Sequence, residues 1–144
     1  MKAIQFLEQI KKLDALIANK WIEIHQLQEL CESTTANLTG ERVQSSHNPN
    51  RMAEAVAKYI DLEAQIVHQD IKRLIEARKK VLAVIEQLDA LEYDVLHKVY
   101  VQHLSVGDVA DIYRQSYGAV SQNLDRARKS VQKVLDDGKS INAT

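Results

Sequence analysis

Apolar residues recur along the first thirty positions at alternating spacings of three and four. Written as heptads, Ala3, Ile10, Ile17, Ile24 and Cys31 fall at a and Phe6, Leu13 and Leu27 at d, with Lys20 the one polar residue in the seam. Leu7 and Trp21 at e, with Leu16 and Leu30 at g, widen the stripe beyond the needs of a two-stranded zipper. The pattern therefore predicts a helix with two contacts, as in a bundle or hairpin. From Ser33 to Asn50 the period disappears among Ser, Thr and Asn, with Gly40 and Pro49, which predicts a loop. Asn48 followed by Pro49 reads as an N-cap and a first helical residue, because the amide that proline lacks has no partner at that position. Neither Gly nor Pro interrupts Arg51 to Leu88, where Ile60, Val67, Leu74, Val81 and Leu88 repeat every seven residues, flanked by Val56, Ile71 and Ile85. This predicts a second helix about 55 Å long, packed antiparallel on the first.

The pattern changes at Leu88. Leu88, Leu91, Val95, Leu96, Val99 and Tyr100 form one side of an amphipathic helix of about four turns. Ser105-Val106-Gly107-Asp108 then resembles a capping box with Asp in place of Glu, with Leu104 and Val109 as its hydrophobic staple. A short helix should follow to about Tyr113, facing Val109, Ala110, Ile112 and Tyr113 inward. Arg114 and Gln115 make a turn, Ser116 caps again, and a last helix runs from Tyr117 to about Asp136 with Val120, Leu124, Ala127, Val131 and Leu135 buried. Two helices joined by so short a turn, with the small Ala110 at their crossing, predict a helix-turn-helix. The expected fold is all-α: a long, coiled-coil-like antiparallel hairpin over residues 1–87 with its loop at about 33–50, a helix-turn-helix module over 88–137, and a flexible tail over 138–144.

Composition narrows the function. Four glycines and one proline in 144 residues leave little turn chemistry for a sheet protein. The longest apolar run, Val81 to Ile85, is far too short to span a bilayer, and Gln5, Glu8 and Gln9 interrupt any signal-peptide core, so a cytoplasmic protein without membrane contact is expected. Cys31 is the single thiol and reads as a small apolar seam residue. No zinc pattern, phosphate loop or catalytic arrangement is visible, so neither a cofactor nor enzymatic activity is expected. His68, Asp70 and Lys72 read as a solvated face, and His97 and His103 as core-edge or surface residues. The 19 basic and 20 acidic residues nearly cancel, so any nucleic-acid binding must rest on local charge.

At the C-terminal end the residues suggest where that charge lies. The string LEYDVLHKVYVQHLSVGDVADIYRQSYGAVSQNLDRARKSVQKVL resembles the fourth conserved region of bacterial sigma factors. Ser105, Asp108, Val109 and Ala110 stand for its Ser-x-x-Glu-Ile-Ala, Ser116 and Val120 for its Ser-x-x-x-Val, and Arg126, Ala127 and Arg128 for its basic segment. The preceding part, including SSHNPNRMAEAVAKYIDLEAQI, is similar to a phage and prophage family of Gram-positive bacteria in the style of the ArpU-type late transcription regulators. The resemblance implies a transcriptional regulator that binds double-stranded DNA sequence-specifically in the bacterial host cell, as a homo-oligomer or with RNA polymerase as a second partner. Carried over by position, Tyr117, Gly118, Ser121 and Gln122 fall where the sigma module meets bases, Arg126, Arg128 and Lys129 where it meets backbone, and the capping Ser116 counts with them as DNA-binding. Gln122 is the best base reader, since its amide can pair bidentately with adenine.

Where the sigma pattern carries Leu-Gly-Ile this chain has Tyr113, Arg114 and Gln115, and Tyr117 is expected to cover the core left exposed. From Leu88 onward seven basic residues meet eight acidic ones, so the cations of the last helix are local and monomer binding should be weak. Two other functions fit the same pattern: an oligomeric phage DNA-packaging subunit similar to small terminase subunits, or a sigma-like module that binds protein without touching DNA.

Overall fold

The computed structural model describes the backbone of residues 1–40 and 49–142, and the side chains of 1–33 and 51–138. The described residues are all-helical, with no strand. Five α-helices follow in order: α1 (Ala3–Gly40), α2 (Pro49–Glu86), α3 (Ala90–Leu96), α4 (Val106–Tyr113) and α5 (Tyr117–Asn142), with a π-helical turn at His97–Val101 after α3. None is long and apolar enough to cross a membrane.

Two boundaries differ from the sequence expectation. α1 continues through Ser33 to Gly40, so the first eight positions of the expected loop are helical. Ser, Thr and Asn each cost a helix only a few tenths of a kcal/mol, and the first strong breaker in the segment is Gly40 itself. α2 opens at Pro49 as expected, while the Asn48 cap lies outside the described residues. At the other end α5 runs to Asn142, past Asp136 and through most of the expected tail, because no proline stops it.

The chain forms two compact units, Met1–Asp14 with Glu76–Thr144, and Ala15–Ile75. In the second, α1 and α2 run in opposite directions: Lys20 Nζ lies 3.9 Å from Asp70 Oδ2, while Leu27 and Leu30, further along α1, share a groove with Glu63 and Val67, earlier in α2. Ile24, Ala53, Ile60 and Ile71 are buried along the seam. Of the residues expected to widen it, Leu16, Trp21 and Leu30 are exposed, Trp21 resting edge-on against His68 with ring centroids 5.6 Å apart.

The other unit holds the main core. Leu7 and Ile10 of α1, Val81 and Ile85 of α2, Val95 and Leu96 of α3, Tyr100 of the π-helical turn, Val109 and Ala110 of α4, and Val120, Leu124, Ala127 and Val131 of α5 are buried together. The expected four-turn helix is divided, since the Gln102 amide donates to the His97 carbonyl five residues back (2.9 Å) and opens a wider turn. His103 then takes a left-handed conformation (φ 60°), its Nε2 3.2 Å from Asp14 Oδ2, and the same carboxylate accepts from Arg78 Nε at 2.7 Å.

The capping box forms as expected. The Asp108 amide donates to Ser105 Oγ (3.1 Å) and the Ser105 amide to Asp108 Oδ2 (3.2 Å). α4 ends at Tyr113, but Ile112 is 55% exposed, not inward-facing. Val109, Ala110 and Tyr113 already cover the side toward the core, and Ile112 lies to one side of them. Arg114 adopts φ 55°, ψ 45°, and the Gln115 amide donates to the Ala110 carbonyl (3.0 Å) and the Arg114 amide to that of Asp111 (3.3 Å). This is a Schellman ending built on arginine in place of glycine.

One polar cluster ties α4 to α3. The Tyr113 hydroxyl donates to Asp94 Oδ2, and Lys98 Nζ donates to both carboxylate oxygens (2.8 and 3.0 Å) while lying over the Tyr113 ring. The hydrogen bonds from Lys98 and then Tyr113 hold the Asp94 carboxyl below its usual range. Burial, reinforced by the Asp94 charge, pushes the Tyr113 phenol well above its ordinary value.

Candidate nucleic-acid interface

Eight residues are expected to meet DNA, and all belong to α5 or its cap. Ser116 is the cap, its Oγ accepting from the Ala119 amide (3.2 Å), so its hydroxyl serves the helix terminus. At about 100° per residue, Gly118, Gln122, Arg126 and Lys129 fall on one side of α5, opposite Val120, Leu124, Ala127 and Val131. The first four are exposed and the second four buried. Lys133, one turn beyond Lys129, continues the exposed line, and helical period alone places it there.

The other three residues lie off this line. Tyr117 is 65% exposed, so it does not cover the core, to which α5 instead contributes the buried Val120 and Leu124. Ser121 is half-buried on the flank. Arg128 turns toward the protein: its Nε donates to the Tyr100 hydroxyl (3.0 Å), its guanidinium lies over the Tyr100 ring, and Nη1 is 3.4 Å from Asp125 Oδ1. Two opposite charges of the segment thereby offset each other. Arg126, Lys129 and Lys133 make no ion pair among the described residues, leaving three solvated cations beside an exposed glutamine.

A neighbouring feature carries no sequence signal. The Ala3 amide donates to Gln132 Oε1 (2.8 Å), and Gln132 Nε2 donates to the Met1 carbonyl (3.3 Å), so the start of α1 is fastened to the middle of α5. Lys2, Ala3, Ile4, Asp125, Arg128, Lys129 and Gln132 line an open cavity of about 490 Å³ there. Lys2 thus lies near Lys129 although the two are far apart in sequence. Gly118 has open space where a side chain would begin, so packing does not require glycine at that position.

Among the described residues no group of three or more His, Cys, Asp or Glu is placed to hold a metal ion. Gln102 Nε2 donates to His97 Nδ1 (2.9 Å), and Asp70 meets Lys20 and Arg73, so these polar residues are occupied by local pairs. No family model matches the chain, and no curated protein or solved structure is similar enough to it to count as a match.

Proposed function

We propose that this chain is a sequence-specific DNA-binding transcription regulator of the phage and prophage kind, with α4 and α5 acting as a sigma region 4-like helix-turn-helix. The observation that carries the reading is the α5 face, where Gln122 stands among Arg126, Lys129 and Lys133, all exposed, on a helix capped by Ser116. The left-handed Arg114 in the turn and the buried Ala110 four residues before it also support it, since a tight helix-to-helix turn needs both features. In this reading the first turns of α5 enter the major groove. Gln122 pairs with a base edge, Gly118 lets the duplex approach, and the three cations meet phosphates. Arg128 acts instead as a positioning residue, holding α5 on Tyr100. RNA polymerase is the second partner the resemblance implies.

Titrating the chain against duplex DNA at several salt concentrations tests this. Arg126→Ala with Lys129→Ala should weaken binding to every sequence and reduce the slope of log affinity against log salt by about 1.8, two phosphate contacts at roughly 0.9 each. Gln122→Ala should mainly relax sequence choice. An unchanged slope in the double variant removes α5 from the interface and favours a module that acts on protein. An oligomeric packaging subunit is the second reading, favoured by the exposed apolar residues of α2. A ring-sized mass is its signature.

A further inference from the structure

α2 carries two apolar stripes, of which the protein buries one. Ala53, Ile60 and Ile71 face the seam with α1. About a third of the way round the helix, Met52, Tyr59 and Ile66 repeat every seven residues with Leu62 between the last two, and they are 65%, 64%, 53% and 51% exposed. Single exposed apolar residues are ordinary, but four in a heptad register are a seam with no partner among the described residues. Two stripes so spaced belong to a helix that packs against two neighbours, as in a four-helix bundle.

The flanks of the stripe indicate what covers it. Taking Met52, Tyr59 and Ile66 as a and Ala55 and Leu62 as d, Lys58 falls at g and Glu63 at e. Neither makes an ion pair among the described residues. One edge of the stripe is therefore basic and the other acidic. When two such helices pair in parallel, each g residue meets the e residue five positions on in its partner, so Lys58 meets the partner's Glu63 on both sides of the twofold axis. Antiparallel pairing would set g against g and leave Lys58 facing basic neighbours. Gln69 at d and Arg73 at a end the stripe, which limits the contact to about two heptads.

We infer that α2 pairs in parallel with α2 of a second copy of this chain through Met52, Tyr59, Leu62 and Ile66. The pairing stands on α2 alone and does not depend on what α5 binds.

Sedimentation of the full chain should show a concentration-dependent rise from monomer to twice the monomer mass. Tyr59→Glu with Ile66→Glu, both at exposed positions, should leave helicity by circular dichroism unchanged and raise the dimer dissociation constant at least about 100-fold. In a Cys31→Ser background, Ala55→Cys and Leu62→Cys should each oxidise to a disulfide-linked dimer, because parallel packing sets every d position against its own copy. Antiparallel packing can bring at most one of the two onto the axis. A monomer at all concentrations, a mass above the dimer, a dimer indifferent to the double variant, or cross-linking at only one cysteine position would each overturn the inference. Because the substitutions lie outside α5, DNA binding by the unaltered chain tests the proposed function separately.

Discussion

Arg114 occupies a conformation in which its Cβ crowds the following carbonyl, a cost of about 1 kcal/mol that glycine does not incur. Arg114→Gly should therefore stabilise the protein by about 1 kcal/mol in urea denaturation, with no change in m-value, and Arg114→Val should destabilise it by more. No change on substitution to glycine would show that the arginine side chain contributes as much as its backbone loses. The neighbouring residues mark what could be read from sequence at this scale. The Ser105–Asp108 box and the Ser116 cap were legible because each involves groups three residues apart, and a cap needs nothing else. Arg128 was not, since its orientation depends on Tyr100, 28 positions earlier and on another helix. Ile112 is exposed against the sequence expectation for a related reason: a two-turn helix has too few residues for its period to fix a face.

Between elements, the link that matters most for the proposed interface joins α3 to α4. Asp94 is stabilised as a carboxylate in the fold, so its contribution is complete above its unfolded pKa of about 3.9 and is lost as pH falls through its lower folded value. Tyr113 is stabilised as a neutral phenol. Its contribution is complete below about pH 10 and is lost as pH rises above that, toward its higher folded value. Tyr113→Phe should cost about 1 kcal/mol near neutrality and remove part of the loss of stability above pH 10. Denaturation followed against pH checks both, and an alkaline limb unchanged in the variant would mean that another group controls it. Helix existence was legible from period and from the scarcity of Gly and Pro, but helix ends were not. Ser, Thr and Asn from Ser33 onward mark loops only by statistics, and α1 continues through them. Nor does any residue announce the π-helical turn at His97–Val101, whose wider hydrogen bonding is set by its surroundings.

At the scale of the whole molecule, the two units differ in how much core each holds. Among the described residues Ala15–Ile75 is secured by one helix–helix seam with four buried apolar residues in it, whereas the other unit joins segments of all five helices around a continuous core. In dilute protein, amide hydrogens of α1 and α2 within 17–30 and 54–72 should exchange at least about tenfold faster than those of α4 and the first half of α5. Raising the concentration should slow the first set selectively, because the paired form buries the second stripe of α2. Equal protection in both units at low concentration would contradict the unequal cores.

The fastening of Ala3 to Gln132 also sets an order of events during synthesis. Ala15–Ile75 is continuous in sequence and can close as soon as its two helices leave the ribosome. The larger core cannot, because Val120, Leu124 and Val131, which complete it, are made long after Leu7 and Ile10. At about 5–20 residues per second that interval lasts several seconds. Throughout it Leu7 and Ile10 lack the α5 side chains that complete their core in the finished fold, so a chaperone that captures the nascent chain should be found on the first turns of α1.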